Sequence, residues 1–547
     1  MIRRLVAYSL PIVAIVLGTT MVSQAEPQRL LTRHVRTVTV NGEAPLVGRL
    51  PETQSLRIDV VLALRDQAGL ERFLQKVYDP SSPSYRQFLT VEQFTERFGP
   101  SRENYEAFIR FAQANGLAVV GGSRDAIDVQ LEGSVATIET AFNIKMSVYH
   151  DPIADRDFYS PDQEPTVDLP FQLWHISGLD NYSIPHPQLA RRPAGVKLPA
   201  TTGSCPGDAF CGSDMRAAYY EGTSLTGKGQ NIGLLEFEGY DIADVNTYYK
   251  NAHQKRTAPI VGVSTDGSPL TCLISQGCDD LEQTIDMTQA LGMAPGITTL
   301  YVFVGSTDTA LLGSMASHKP LSLNLSSSWS WSPPDPLLDD PFFEKMAAQG
   351  QSYLEAAGDG GAWQEQNNWW PMESQYVISV GGTDLITKGP AKGWASESTW
   401  VDGGGGISPD DFPIPSWQKL KGVITKTNQG STKYRNGPDV AANSNFTFYV
   451  CADQTTCTSN EWGGTSFATP MWAGYLALAN QQAAAKGDKP VGFINPAIYP
   501  LGLGKTYNTD FHDITTGSNG FPAGKGYDLA TGWGSPNTDG LINSLAP

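Results

Sequence analysis

At 547 residues, with 40% hydrophobic residues, the chain has material for two or three domains and a substantial core. Its 38 Lys+Arg against 56 Asp+Glu give a net charge of −18, which argues against a nucleic-acid partner and disfavours an anionic membrane surface. Acidity alone names no substrate.

The chain opens like a secretory signal over residues 1–25. Arg3 and Arg4 precede an apolar stretch from Leu5 to Leu17, and Ser23-Gln24-Ala25 supplies small residues at a cleavage point. An uncleaved anchor is the alternative, for which the stretch is short. No later segment is long and apolar enough to span a bilayer, so an exported protein free of the membrane is expected, extracellular or periplasmic.

Residues 26–185 read as a self-contained α/β unit. Strand-like alternation at Arg57–Leu64 precedes helical patterns at Gln67–Val77, Val91–Phe98 and Arg102–Asn115. Strands at Leu117–Val120 and Ala126–Leu131, a helix near Val135–Phe142 and a strand at Lys145–His150 complete it. Residues 186–203 then turn rich in Pro, Ala and basic side chains, with Arg191-Arg192 in the middle, as in an exposed linker open to proteolysis.

From about residue 204 a larger domain runs to the end. Short apolar runs at Asn231–Glu236, Thr299–Val304, Leu321–Leu325 and Tyr376–Val380 read as buried parallel strands, and helical stretches lie at Asp280–Leu291 and Pro341–Ala348. The six cysteines form three pairs of identical spacing, Cys205/Cys211, Cys272/Cys278 and Cys451/Cys457. In an exported chain this argues for three local disulfides, each adding about 2 kcal/mol at most because the closed loops are short. Metal binding is the rival reading, without CxxC spacing or a nearby His to support it.

Two features carry chemistry. Glu282 and Asp286 share a helix face, and no Lys or Arg occurs from Thr257 to His318 to offset them. They are either an exposed acidic face or a coupled carboxyl pair that shares a proton, as a general base for mildly acidic conditions requires. Near the C-terminus, Gly463-Gly464-Thr465-Ser466 turns sharply into a helix-forming run from Phe467, with Thr465 and Ser466 as candidate N-cap residues. Ser466 is then either an ordinary capping serine or an exposed nucleophile beside free N–H groups.

The longer stretch GTSFATP, followed by a small-residue helix, resembles the nucleophile motif shared by subtilisins and sedolisins. A subtilisin needs a histidine base, typically within HGTH, and none of the seven histidines here is followed by Gly-Thr. Glu282-x-x-x-Asp286 with Ala294-Pro295-Gly296 resembles instead the ExxxD…APG signature of the sedolisins, the serine-carboxyl peptidases. Ser326 to Trp329 (SSSW), Ala357 to Gly361 (AGDGG), Gly403 to Gln418, and Arg435 to Ala442 resemble further family segments in the expected order. Ser82 to Thr90 resembles the SxxYRxFLT segment of sedolisin prodomains.

The resemblance implies a subtilisin-like, mostly parallel sheet flanked by helices, preceded by a smaller α/β prodomain that inhibits it intramolecularly. It implies Ser466 as nucleophile, Glu282 as base, Asp286 as its carboxyl partner and Asp359 as a protonated oxyanion donor. Glu236 and Trp329 align with residues that support the network in some members, although the FEGYD loop after Glu236 departs from the commoner GGGYD form. Asp513, Ile514, Gly524, Gly526 and Asp528 match the family's DI…GxGxD form, implying one structural Ca²⁺ ion. The expected protein is a secreted, monomeric proenzyme that autoprocesses on acidification and cleaves polypeptides as an endopeptidase. An exopeptidase (tripeptidyl-peptidase) of the same family, a neutral subtilisin-type enzyme and a non-catalytic binding protein are the alternatives.

Overall fold

In the C-terminal region, buried strands form where apolar runs end at glycine- or serine-rich turns. The computed structural model describes residues 28–196, 198, 202–364, 369–454 and 457–547, so the signal segment lies outside the described residues. Strands at Asn231–Glu236 and Thr299–Val304 match the sequence reading, and two others sit slightly later, at Asn324–Ser327 and Ile378–Thr387. Strands at Ile260–Ser264 and Ser352–Ala356 were not expected. The second carries Glu355 amid its apolar residues, which masks a pattern that only complete burial makes legible.

These strands form an eight-stranded sheet in the order 260–264, 299–304, 231–236, 324–327, 352–356, 378–387 and 394–399, with 440–443 also pairing with 378–387. Every pairing is parallel except the last hairpin, Ile378–Thr387 with Trp394–Thr399. Parallel strands need helices on both faces. Leu281–Met293 and Thr465–Lys486 pack together on one face, against Leu234 and Leu354. Asp308–Met315 and Pro336–Ala348 cover the other, against Leu235 and Tyr353. The carboxyl ends of the central strands therefore open beside the start of the helix carrying Ser466, where ligand sites form in such sheets.

The N-terminal unit has its own core, built on an antiparallel sheet in the order 118–121, 128–134, 55–62 and 173–177. A second, three-stranded sheet joins Leu46–Arg49, Met146–Asp151 and Arg156–Pro161. The helices at Gln67–Val77 and Val135–Phe142 have the expected bounds. The unit seats itself on the helix Pro336–Ala348: Tyr78 donates to Ala347 O at 2.7 Å, Gln67 Nε2 to Glu344 Oε2 at 2.6 Å, and Leu89 N–H to Ala348 O at 3.0 Å. Three disulfides close the loops expected for them, Cys205–Cys211, Cys272–Cys278 and Cys451–Cys457.

This interface makes stability depend on pH. Burial lifts the Glu344 carboxyl to about 7, opposed by hydrogen bonds from Gln67 and Tyr376. The folded protein therefore holds a proton that the unfolded chain has released, and stability falls as pH rises from the ordinary carboxyl range to about 7. Lys345, held down to about 7 by burial, acts oppositely: its contribution increases as pH climbs above 7. The thermal midpoint of the full-length chain, kept intact as a Ser466→Ala variant, should decline between pH 4 and 7, and adding Glu344→Gln should flatten that decline. A midpoint that rises over this range in the Ser466→Ala chain contradicts the assignment.

Candidate active site

Gly464 stands before Thr465 and Ser466 because nothing larger fits. A Cβ there would lie 2.3 Å from Gln188 O and 2.6 Å from Asp359 Oδ2. The helix begins at Thr465 with Gly464 as its cap, so neither Thr465 nor Ser466 caps it as the sequence reading supposed. Thr465 turns to Asp359 instead, donating to Oδ1 from its N–H at 2.8 Å and from its hydroxyl at 2.9 Å. This leaves the Ser466 N–H, in the first helical turn, free to donate to Gln188 O at 3.2 Å. The Ser466 hydroxyl donates to the same oxygen at 2.5 Å.

Ser466 is buried rather than exposed, because residues 186–192 lie over it. Upstream, His186–Pro187 pairs antiparallel with Trp329–Ser330, and Gln188 N–H donates to Ser328 O at 2.9 Å. Downstream, Ala190–Arg191 pairs antiparallel with Trp462–Gly463. The segment read as an exposed linker is thus an extended chain laid through a cleft, with the Gln188 carbonyl at the serine. Proline-rich composition looks the same in either setting, so the sequence could not distinguish them.

Beneath the serine lies a cluster of carboxyls. Glu282 and Asp286 are 3% and 0% exposed, which removes the exposed acidic face as an explanation. Burial raises both well above the ordinary range; the neighbouring charge of Asp286 adds for Glu282, and that of Glu236 for Asp286. Ser328 Oγ donates to Asp286 Oδ1 at 2.8 Å. Glu236, fully buried, accepts from the Trp329 indole at 2.8 Å, so the two residues left uncertain by the sequence meet beside the pair. Asp359 is also raised well above the ordinary range by burial, with Thr465 opposing. Its Oδ2 is buried without a hydrogen-bond partner among the described residues, as a carboxyl that carries a proton to donate there would be.

Glu355 was missed from the sequence. It is fully buried, and burial raises its pKa, with the charges of Asp286 and Glu282 contributing. The available signal was a lone acid in an apolar run four residues before Asp359.

The cation site expected near the C-terminus is a loop closing on two carboxylates. Gly526 N–H donates to Asp513 Oδ1 at 3.1 Å and Gly524 N–H to Asp528 Oδ2 at 2.8 Å. Asp528 is buried and lifted to about 6 by that burial, with no Lys or Arg paired to it among the described residues. Lys525 is exposed. Asp513 and Asp528 bring two carboxylates to this loop, and such oxygen donors are the kind a hard cation takes.

Comparison with known proteins agrees with this geometry. Over 562 residues the chain is 31% identical to kumamolisin from Bacillus sp. (strain MN-32), covering 96% of this chain and 97% of that protein. The chain belongs to the sedolisin family. It is accordingly a serine-type peptidase, and a family model for the pro-kumamolisin activation domain matches residues 43–181, placing an activation prodomain ahead of the enzyme. A subtilase family model matches residues 247–491. Tripeptidyl-peptidase 1 from Rattus norvegicus is 26% identical, with 91% of this chain and 93% of that protein covered. Among solved structures, Pseudomonas sedolisin, a serine-carboxyl proteinase complexed with two molecules of pseudo-iodotyrostatin, superposes with a TM-score of 0.52 at 22% identity, covering 63% of this chain and 99% of that one. That likeness bears on the subtilisin-like fold.

Gly464→Ala should disable this sedolisin-family site without unfolding it. Displacing either the Gln188 carbonyl or Asp359 by about 1 Å costs on the order of 100-fold in rate. Steady-state kinetics beside an unchanged circular dichroism spectrum test this.

Proposed function

We propose that the protein is a secreted, acid-active endopeptidase that frees itself from its prodomain by cutting the Gln188–Leu189 bond. The reading divides the chain into a signal peptide (1–25), a prodomain (26–185), a linker (186–203) and a monomeric peptidase domain (204–547). The Ser466 hydroxyl turns from the Gln188 oxygen to Glu282, which Asp286 orients through a shared proton, and gives it its proton as Oγ attacks the Gln188 carbonyl carbon. Asp359, protonated, and the Ser466 N–H stabilise the oxyanion. The C–N bond to Leu189 breaks, its nitrogen takes the proton, and water then hydrolyses the acyl ester on Ser466 to regenerate the serine. The observation that carries this reading is the Gln188 carbonyl held by both the N–H and the hydroxyl of Ser466.

Endopeptidase action is favoured by the chain's passage through both sides of the cleft. A tripeptidyl-peptidase must stop its substrate three residues upstream of the cut. Here the polypeptide continues through Pro185 and Ile184 into the N-terminal unit. Acidic operation follows from the charges: as pH rises, Asp359 loses the proton it must donate and the buried pair gains a second unfavourable charge. Secretion is supported by the signal-like N-terminus and the three disulfides. Asp513, Asp528 and the carbonyls of Ile514, Gly524 and Gly526 would hold one structural Ca²⁺, which neutralises the carboxylates and ties down the C-terminal loop.

Incubating the purified proenzyme from pH 3 to 7 should release a chain beginning at Leu189 only on acidification, as read by mass spectrometry, and Ser466→Ala and Glu282→Gln should abolish this. Processing that survives Ser466→Ala would falsify the mechanism, and cleavage by Glu282→Gln at neutral pH would identify another base. Chelation should lower the thermal midpoint of the wild type and leave that of Asp528→Asn, already lowered, nearly unchanged.

A further inference from the structure

We infer that the cleft selects glutamine on the acyl side of the scissile bond, and that Ser330 is the residue that determines this. The inference rests on the proposed reading of Gln188–Leu189 as substrate. It adds the chemical class of side chain that the enzyme takes from other polypeptides.

The Gln188 side chain is 7% exposed, and its Nε2 donates to the Ser330 hydroxyl, which is itself fully buried. On the opposite side it meets the turn that carries Asp359. A Cβ built on Gly358 would stand 3.6 Å from Gln188 Oε1 and 3.6 Å from the Met372 methyl carbon, ordinary contact distances that place the terminal amide against this turn. Met372 and Ala357 are also fully buried. The amide therefore has one hydroxyl as its polar partner and a buried apolar side chain close by, a setting in which a single polar contact discriminates well. An aliphatic side chain here would desolvate Ser330 without giving it a partner, whereas the primary amide can pair with the hydroxyl in either orientation.

The basic residues downstream contribute less, for a physical reason. Arg191 reaches Glu461 at 3.0 Å and lies over the Trp462 ring at 5.9 Å, but both partners of the ion pair are solvent-exposed. Exposed pairs of this kind contribute little and weaken with salt. Selection accordingly rests on the buried amide at position 188, and the Arg191-Arg192 pair is a downstream passenger of the cut.

The test uses the mature enzyme and nonapeptides with the sequence Ile-Pro-His-Pro-X-Leu-Ala-Arg-Arg, where X is Gln, Met or Lys. Methionine has nearly the length and flexibility of glutamine and lacks only the amide. The wild type should show a kcat/KM for Gln about tenfold above that for Met, the discrimination expected of one buried hydrogen bond. Ser330→Ala should bring the Gln-to-Met ratio close to one, and Ser330→Thr, which keeps the hydroxyl, should restore a preference for Gln. Equal cleavage of Gln and Met peptides by the wild type, or a Gln preference that persists in Ser330→Ala, overturns the inference and leaves the peptidase reading intact. Failure of the wild type to cleave any of the peptides, at any pH from 3 to 7, overturns both.

Discussion

Glu236, Glu282, Asp286 and Glu355 lie fully or almost fully buried in one neighbourhood, and none forms an ion pair with Lys or Arg among the described residues. Removing a lone carboxylate from water is so unfavourable that such a group neutralises instead. Four of them cannot ionise together, so protons must be shared out across the cluster. This constraint governs the chemistry available at Ser466. A histidine base would need a protein dielectric that tolerates an imidazolium beside a fixed carboxylate, whereas a buried carboxyl pair needs only one negative charge distributed over several oxygens.

The cluster is held from two directions. The strand end Ser327 to Ser330 supplies a hydroxyl to Asp286 and an indole N–H to Glu236, and the same main chain pairs with the polypeptide in the cleft. Positioning of the acid–base groups and recognition of the chain thus share one piece of backbone. On the other side, Thr465 connects the helix carrying Ser466 to Asp359 through two hydrogen bonds, so Asp359 and the serine are fixed relative to each other. Errors in either strand or helix placement are felt in both functions.

The prodomain reaches the site without a catalytic residue of its own. Its helix Gln67–Val77 and Tyr78 grip the outer helix Pro336–Ala348, while its tail threads the cleft. Anchoring at both places raises the local concentration of the segment at Ser466, and two short antiparallel pairings hold it extended as a substrate is held. On the proposed reading, inhibition and presentation for cleavage are the same contact under different protonation.

Ser466, Glu282, Asp286 and Asp359 could be singled out because each sits where local backbone geometry leaves a mark, and the resemblance to the sedolisins gave them their expected roles. A glycine turn precedes a helix, two acids stand four apart on one face, and an aspartate lies between glycines. The same holds for most strands, since burial on both faces writes a continuous apolar run. What the sequence could not express was any relation between distant segments. Glu355 is adjacent to the pair only because its strand lies beside Asn324–Ser327 in the sheet. Gln188 meets Ser466 across 278 residues of chain, and Ser330 becomes a pocket wall only once residues 186–191 are laid against it. Local propensity and periodicity determine the elements and the chemical inventory. Which buried charges share a proton, and which side chain occupies the cleft, were decided by tertiary packing, because desolvation depends on neighbours that the linear order does not specify.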